Sequence, residues 1–392
     1  MDDPLISFVS LIPIYLLTPI LCLYICLKVS ALRNIGPVIL CYGIGILMGM
    51  TLEQSNQISV SLKSSQEETL GVLVALALPL LLFSTDVRGW FSQAGKAAFA
   101  MVLALLSVAV VAIVAAIPLL GDVENLWQIA GMAVGAFTGS TPNVAAVKTA
   151  TDASSDTFLL VHGYDIITSM IYLLLVMTVA HRIAKRFLLP FGRDKDTDET
   201  MDHEEHLEQY SELLIPARIK RLSLALALTA LIVGVSVGLA ELVNESFKTM
   251  TIILLLTAGG MCCALFQKVR SIPNTYHLGM YLIMVFCTLA GSMFTSEAFA
   301  KISLELMLYF LAIVFGSMVI HLLLSRFTRI DADTFLITSV ASICSPPFVP
   351  VAAAIMGNKK VLLSGLSAGV IGYAAGNILG IAVALTVRAM GG

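Results

Sequence analysis

Asp165 stands about nine residues into an apolar run at residues 156–186 of a 392-residue chain. If that run is a helix starting at a membrane surface, the carboxyl lies roughly 13 Å deep. An ionisable group at that depth is expensive in hydrocarbon, and by default it binds a proton or a cation. His162 lies one turn earlier and can share its proton. Thr168 and Ser169, about one turn later, supply neutral hydroxyl oxygens, and Asn377 sits at a comparable depth in the last apolar run. Hard cations take such oxygen donors. Asp165, Thr168, Ser169 and His162 are therefore the candidate cation- or proton-coupling residues. A Na⁺ ion at Asp165, Asn143 and Asn377 is the only metal expected, and no other cofactor is. The bland alternative makes Asp165 a structural partner for another buried polar group.

Two further segments carry chemistry because their helices must break. Thr138-Gly139-Ser140-Thr141-Pro142-Asn143 interrupts the run 127–151, and Cys344-Ser345-Pro346-Pro347 interrupts the run 332–356. Each break leaves arms of roughly 15–20 Å, which reach the middle of a bilayer and no further. Unwound backbone at that depth is tolerated only where it lines a cavity or is buried in protein. Thr141 and Ser345 suit the N-cap, and Pro142 and Pro346 suit the first helical position. The amides that follow favour an anion, and the carbonyls of the arm before favour a cation. Thr138, Gly139, Ser140, Thr141, Asn143, Ser345, Pro346 and Asn377 are the candidate substrate-binding residues. Lys148 joins them: it can meet an anion, pair with Asp165 or snorkel to the surface.

Around these residues the chain is 58% hydrophobic and 12% charged, with a mean hydropathy of +0.92. A soluble domain carries about 25% charged residues. The composition excludes a soluble enzyme, a disordered chain, a collagen and a coiled coil. Continuous rather than alternating apolar runs exclude an outer-membrane barrel. An all-α polytopic membrane protein remains, and a net charge of −3 gives no pull toward nucleic acid. The seven cysteines all lie in apolar segments and read as small core hydrophobes. The acidic start Met1-Asp2-Asp3-Pro4 and the missing cleavage site make the first run a retained span.

Apolar runs fall at 5–28, 36–51, 69–87, 95–120, 127–151, 156–186, 217–242, 249–266, 277–295, 301–325, 332–356 and 361–388. Lys and Arg accumulate in cytoplasmic loops. With both termini outside and both broken segments re-entering, Arg182, Lys185, Arg186, Arg218, Lys220 and Arg221 fall inside. Glu67, Glu68, Asp122, Glu124, Asp152 and Asp156 then fall outside. A crossing first break would invert that distribution, so hairpins are favoured while a once-crossing broken helix stays open.

The two breaks occupy matching places. Thr141-Pro142 parallels Ser345-Pro346, Gly163-Tyr164 parallels Gly372-Tyr373, and Thr178-Val179 parallels Thr386-Val387. The fold expected is a pair of inverted repeats. Each has five transmembrane helices and one broken helix or re-entrant hairpin, over 1–187 and 217–392. Such repeats mark secondary transporters, with the site at the repeat interface. Residues 188–216 join them as an acidic cytoplasmic linker with nine acids, and an amphipathic helix is expected near Glu204–Leu214. His203-Glu204-Glu205-His206 lacks the spacing of a zinc-protease helix. Asp86 reads as a local ion pair with Arg88. Gly131, Gly135 and Gly139, like Gly372, Gly376 and Gly380, recur every four residues and read as helix-packing surfaces.

Gly36-Pro37-Val38-Ile39-Leu40, the stretch from Leu78-Pro79 to Asp86, and Thr138-Gly139-Ser140-Thr141-Pro142-Asn143 resemble the bacterial YjcL-like membrane proteins, a family of unknown function. The resemblance covers nearly the whole chain. The family's pattern carries a second Gly where Ser140 stands and Ala-Asp where Tyr164-Asp165 stands, so the aspartate is kept. The family is similar to the cation:proton antiporter and anion-transporter group. That likeness implies a scaffold domain, a core transport domain around two crossing breaks, elevator-type movement, a bacterial cytoplasmic (inner) membrane and a homodimer. The Gly45/Gly49 pair also points to a dimer.

The function expected is Na⁺- or H⁺-coupled symport of a small organic anion: a carboxylate, an amino acid or a short acidic peptide. The alternative is a cation/proton antiporter, in which Asp165 exchanges H⁺ for Na⁺. An enzyme is not expected, because no paired membrane aspartates, HExxH motif or Ser/His pair lies at suitable depth.

Overall fold

The structure, a computed structural model, describes residues 4–29, 32, 36–54, 60–84, 87–139, 141–191, 210, 213, 216–243, 245–293 and 303–391. Ser140, Asp86, the His203–His206 stretch and most of Glu204–Leu214 lie outside the described residues. The first half holds α1 (Pro4–Lys28), α2 (Pro37–Gln54), α3 (Val60–Phe83), α4 (Val87–Ala116), α5 (Leu126–Thr138), α6 (Thr141–Thr151) and α7 (Ser155–Phe187). The second half holds α8 (Pro216–Ala240), α9 (Glu245–Ala264), α10 (Thr275–Ser292), α11 (Leu304–Phe327), α12 (Ala332–Ile343), α13 (Val349–Met356) and α14 (Lys360–Met390). Among the described residues, nine helices are long and apolar enough to cross a membrane: α1–α4, α7, α8, α10, α11 and α14. This is the architecture of a multi-pass helical membrane protein.

Some helices begin before their apolar runs. α3 begins at Val60, although its apolar run begins near residue 69. Its first turns carry Lys63, Glu67 and Glu68. Polar turns stay helical because the backbone bonds close within the helix whatever the side chains meet.

Compactness divides the chain into two units, each drawing on both halves. Unit 1 takes residues 1–87, 193–239 and 255–300; unit 2 takes 88–192, 240–254 and 301–392. In unit 1, α10 packs on α1, α2 and α3. Gly45 of α2 and Gly291 of α10 touch backbone to backbone, and a Cβ on Gly45 would strike the Thr288 carbonyl. Gly45 is thus spent on packing inside the chain rather than shown on an outer face. Tyr15, Gln66 and Ser292 close a buried polar triad here, with Gln66 Nε2 donating to Tyr15 Oη at 3.0 Å and to Ser292 Oγ at 3.2 Å.

In unit 2, α5 and α6 run antiparallel side by side. Gln128 Nε2 donates to the Thr151 carbonyl at 2.9 Å, Gly131 faces Val147, and Gly135 faces Asn143. The first broken segment is a helical hairpin. The second closes the same way at its base, where Asn358 Nδ2 donates to Asp333 Oδ2 at 2.7 Å. Both hairpins pack on α14. The two glycine stripes interlock there: Gly131 lies opposite Gly380, and Gly139 lies opposite Gly372. Such contact lets the backbones approach as only small residues allow.

Candidate functional site

The hairpin tips meet inside unit 2. Ser342 Oγ, near the end of α12, donates to the Phe137 carbonyl at 2.7 Å, near the end of α5. Thr138 and Asn143 of the first tip are buried. Asn143 Nδ2 reaches the Gly372 carbonyl at 3.4 Å. Its amide also fills the space beside Gly139 and Gly376, where no Cβ would fit. Pro346 of the second tip lies on Gly369. α14 therefore seats both tips within two turns of helix.

Asp165 lies on α7 beside the second tip. Ser169 Oγ donates to Asp165 Oδ1 at 3.0 Å, and Cys344 Sγ donates to the Ser169 carbonyl at 3.7 Å. Cys344 is also within electrostatic reach of the Asp165 carboxyl, as is His162 on the other side. One turn further along the same face, Tyr172 Oη and Ser339 Oγ of α12 share a buried hydrogen bond of 2.6 Å. Thr168 is buried, and its hydroxyl donates to the Tyr164 carbonyl of its own helix at 2.7 Å. Tyr164 stacks on Phe310 with ring centroids 5.0 Å apart, which pins α7 to α11.

Three expectations change. Lys148 does not pair with Asp165: its Nζ donates to Ser155 Oγ at 3.1 Å and lies over the Phe158 ring at 5.5 Å. The α6 arm runs away from the tip, and Lys148 rides it outward to the hairpin base. Thr141 is the first residue of α6 rather than its cap. Ser345 stands at the cap position, yet its side chain makes no capping bond, because its backbone sits at φ 76°, ψ 159°.

That conformation is close to glycine-only and costs on the order of 1–3 kcal/mol in a residue with a Cβ. Ser345→Gly is therefore expected to stabilise the folded protein by about 1 kcal/mol after the added chain entropy of glycine. Thermal unfolding in detergent reads this as a higher midpoint. A lower midpoint would mean that the serine hydroxyl holds the tip together.

Unmet hydrogen bonds mark where a ligand can be held. Asn377 Oδ1 and His162 Nδ1 are buried without a hydrogen-bond partner among the described residues. The structure gathers Thr138, Gly139, Asn143, Gly372 and Gly376 at one tip, and Asp165, Ser169 and Cys344 at the other. Asp165 is not hydrogen-bonded to Asn143 or Asn377. Among the described residues, no group of three or more His, Cys, Asp or Glu side chains could hold a transition metal. An alkali cation needs none, since oxygen donors serve it.

Tyr172, Ser339 and Ser342 were missed in the sequence. Tyr172 could have been found from the face it shares with Asp165 and Ser169, at helical spacing. Also missed is the base of the second hairpin. There His181 Nε2 lies 3.0 Å from Asp333 Oδ1, just after a π turn at Val176–Ala180 in α7.

Long apolar helices, paired half-length hairpins and a buried polar centre define a class, the multi-pass membrane proteins with broken helices at their core. Within that class the chain belongs to the family described as "Protein of unknown function (DUF819)", whose model matches residues 13–390. No curated protein matches the chain.

Proposed function

We propose that the protein is a secondary active transporter. It couples movement of Na⁺ or H⁺ to symport of a small organic anion by alternating access. The observation that carries this reading is the meeting of two helical hairpins beside an intramembrane carboxylate. Two hairpins that stop halfway have no use as plain spans, and they present helix ends where a cation and an anion can be held together. Asp165 with Ser169 forms the cation site; Asn143 and Thr138 line the substrate side, and the unmet Oδ1 of Asn377, an acceptor, suits the cation or a donor group of the substrate.

Several finer features belong to the same reading. The halves 1–187 and 217–392 are inverted repeats, each giving helices to both units. Unit 1 is the scaffold and unit 2 the moving core of an elevator. The protein works as a homodimer in a bacterial inner membrane, with both termini outside. The relation to YjcL-like proteins and to the antiporter and anion-transporter group supports it. The runner-up, a cation/proton antiporter at Asp165, keeps the site and drops the organic anion.

The experiment is thermal unfolding of the purified protein with and without Na⁺, across pH, against small carboxylates, amino acids and acidic dipeptides. A ligand present at 100 times its Kd stabilises by about 2.7 kcal/mol. One anion whose stabilisation grows with Na⁺ or with acidity is the expected result. Stabilisation by Na⁺ or pH alone, with no organic ligand effective, would replace symport with antiport.

A further inference from the structure

A seam of polar side chains in unit 2 runs up to the site just described, and the histidine in it has no use there. It lies between α4, α11 and the first arm of the second hairpin. Ser317 and His321 of α11 line one wall with Ala104 and Val108 of α4; Ser339 and Ser342 of α12 line the other. As it stands the seam is too narrow to hold a water molecule. His321 is buried, and among the described residues neither of its ring nitrogens has a hydrogen-bond partner. The Ala100 carbonyl faces the ring without closing one of normal geometry, and the Phe335 ring packs on it at 4.8 Å. Among the described residues, no charged side chain acts on His321 from α4, α11 or α12. Arg326, on its own helix, is turned to the Phe187 carbonyl, and Asp333, on α12, is held by His181 and Asn358.

The hydroxyls of the seam are all bonded elsewhere. Ser317 donates to the Val314 carbonyl, Ser342 to the Phe137 carbonyl, and Ser339 shares its proton with Tyr172. Polar groups thus face one another across a closed gap, and nothing bonds across it. Buried polar groups are ordinarily paired, and a histidine with both nitrogens unpaired needs a reason. Water would supply the missing partners if the gap widened. The seam also leads somewhere. Ser339 hands on to Tyr172, and Ser342 and Ile343 end beside Cys344, which touches the Ser169 carbonyl next to Asp165. His321 lies six residues before the end of α11, roughly 9 Å from that helix end.

We propose that this seam is the closed form of a water passage to the hairpin tips, and that His321 is the proton-binding group that opens it. In the open form a ring nitrogen lone pair takes a proton from hydronium, the N–H bond forms and water is released. The imidazolium then donates from both nitrogens to water and to the seam hydroxyls. Imidazole changes charge between about pH 5 and 8, so the passage responds to ordinary proton gradients. The proposal rests on reading unit 2 as a cation-coupled transport core, and it makes the proton the ion that governs access from that end.

Cysteine accessibility in the full-length protein tests it without knowledge of the substrate. Ser317→Cys is labelled with a small cationic methanethiosulfonate, and the site is read by mass spectrometry. The native, exposed Cys262 serves as the reference for the reagent's own pH dependence. Labelling at position 317, relative to Cys262, is expected to rise about tenfold from pH 8 to pH 5.5, the range over which an imidazole titrates. In Ser317→Cys with His321→Phe, which keeps a ring and removes both nitrogens, the ratio is expected to stay flat. An unlabelled position 317 at both pH values, or the same rise with Phe at 321, would overturn the proposal. Ala104→Cys, on α4 beside the same gap, gives the same readout if the serine variant does not fold. Ligand-dependent stabilisation with a seam that never opens would leave the transporter reading intact and remove this inference alone.

Discussion

Asp165→Asn is expected to lower cation-coupled uptake about a thousandfold while the protein stays folded. The amide keeps the shape of the carboxyl and its contact with Ser169 Oγ, now at 3.0 Å from Asp165 Oδ1. It loses the charge. Two unit charges 4 Å apart at an effective dielectric of about 20 attract by about 4 kcal/mol. That is about three powers of ten in cation affinity. Folding should not suffer, because an ionised aspartate at a helix centre costs about 2.5–3.5 kcal/mol to insert. Groups kept for function often cost stability in this way. Uptake of the anion found by thermal unfolding, driven by a Na⁺ or pH gradient in proteoliposomes, gives the activity; unfolding of the same variant gives the stability. Undiminished uptake would reduce Asp165 to a structural partner of Ser169.

What the amino-acid sequence discloses here follows from which interactions are local. Hydropathy located the spans, because a helix in lipid needs a long apolar run whatever it packs against. Gly139, Pro142, Ser345 and Pro346 disclosed the breaks, because backbone chemistry is local. The antiparallel course of α5 and α6 was legible only as a preference drawn from loop charge. It depends on Gly131 meeting Val147 and Gln128 meeting Thr151, and these are tertiary contacts. Asp165 announced itself by its cost. Lys148 left three readings open, since sequence gives the reach of a lysine but not its direction, and here the direction is toward Ser155 and Phe158. Gly45 was open in the same way: its spacing pointed to a dimer, and the neighbour it meets here is Gly291 of the same chain. Ser339 carried no signal in sequence, because a serine in an apolar helix gains meaning only from what faces it; His321 stood close enough to Arg326 and the helix end to pass for an interface residue.

Gly163 and Gly372 bring that distinction to a measurement. Each precedes a tyrosine in the helix that follows a hairpin, and the repeat in the sequence treats them as equivalents. Geometry separates them. A Cβ at Gly163 meets nothing within 4 Å, so Gly163→Ala only removes the cost of glycine in a helix, about 1 kcal/mol. A Cβ at Gly372 would strike the Thr138 carbonyl and the Met101 methyl. The methionine can move aside; the carbonyl belongs to the backbone of the first hairpin and cannot. Overpacking of this kind costs about 1–3 kcal/mol. It also pushes the tip off α14 and breaks the 3.4 Å bond from Asn143 to the Gly372 carbonyl. The two alanine variants are therefore expected to move thermal stability in opposite directions, with a gap of about 3 kcal/mol between them. Gly372→Ala should also weaken stabilisation by whatever anion the protein binds, because the tip it displaces carries Asn143. Equal shifts for the two variants would mean that the first hairpin does not rest on α14. The anion side of the site would then have to be sought elsewhere.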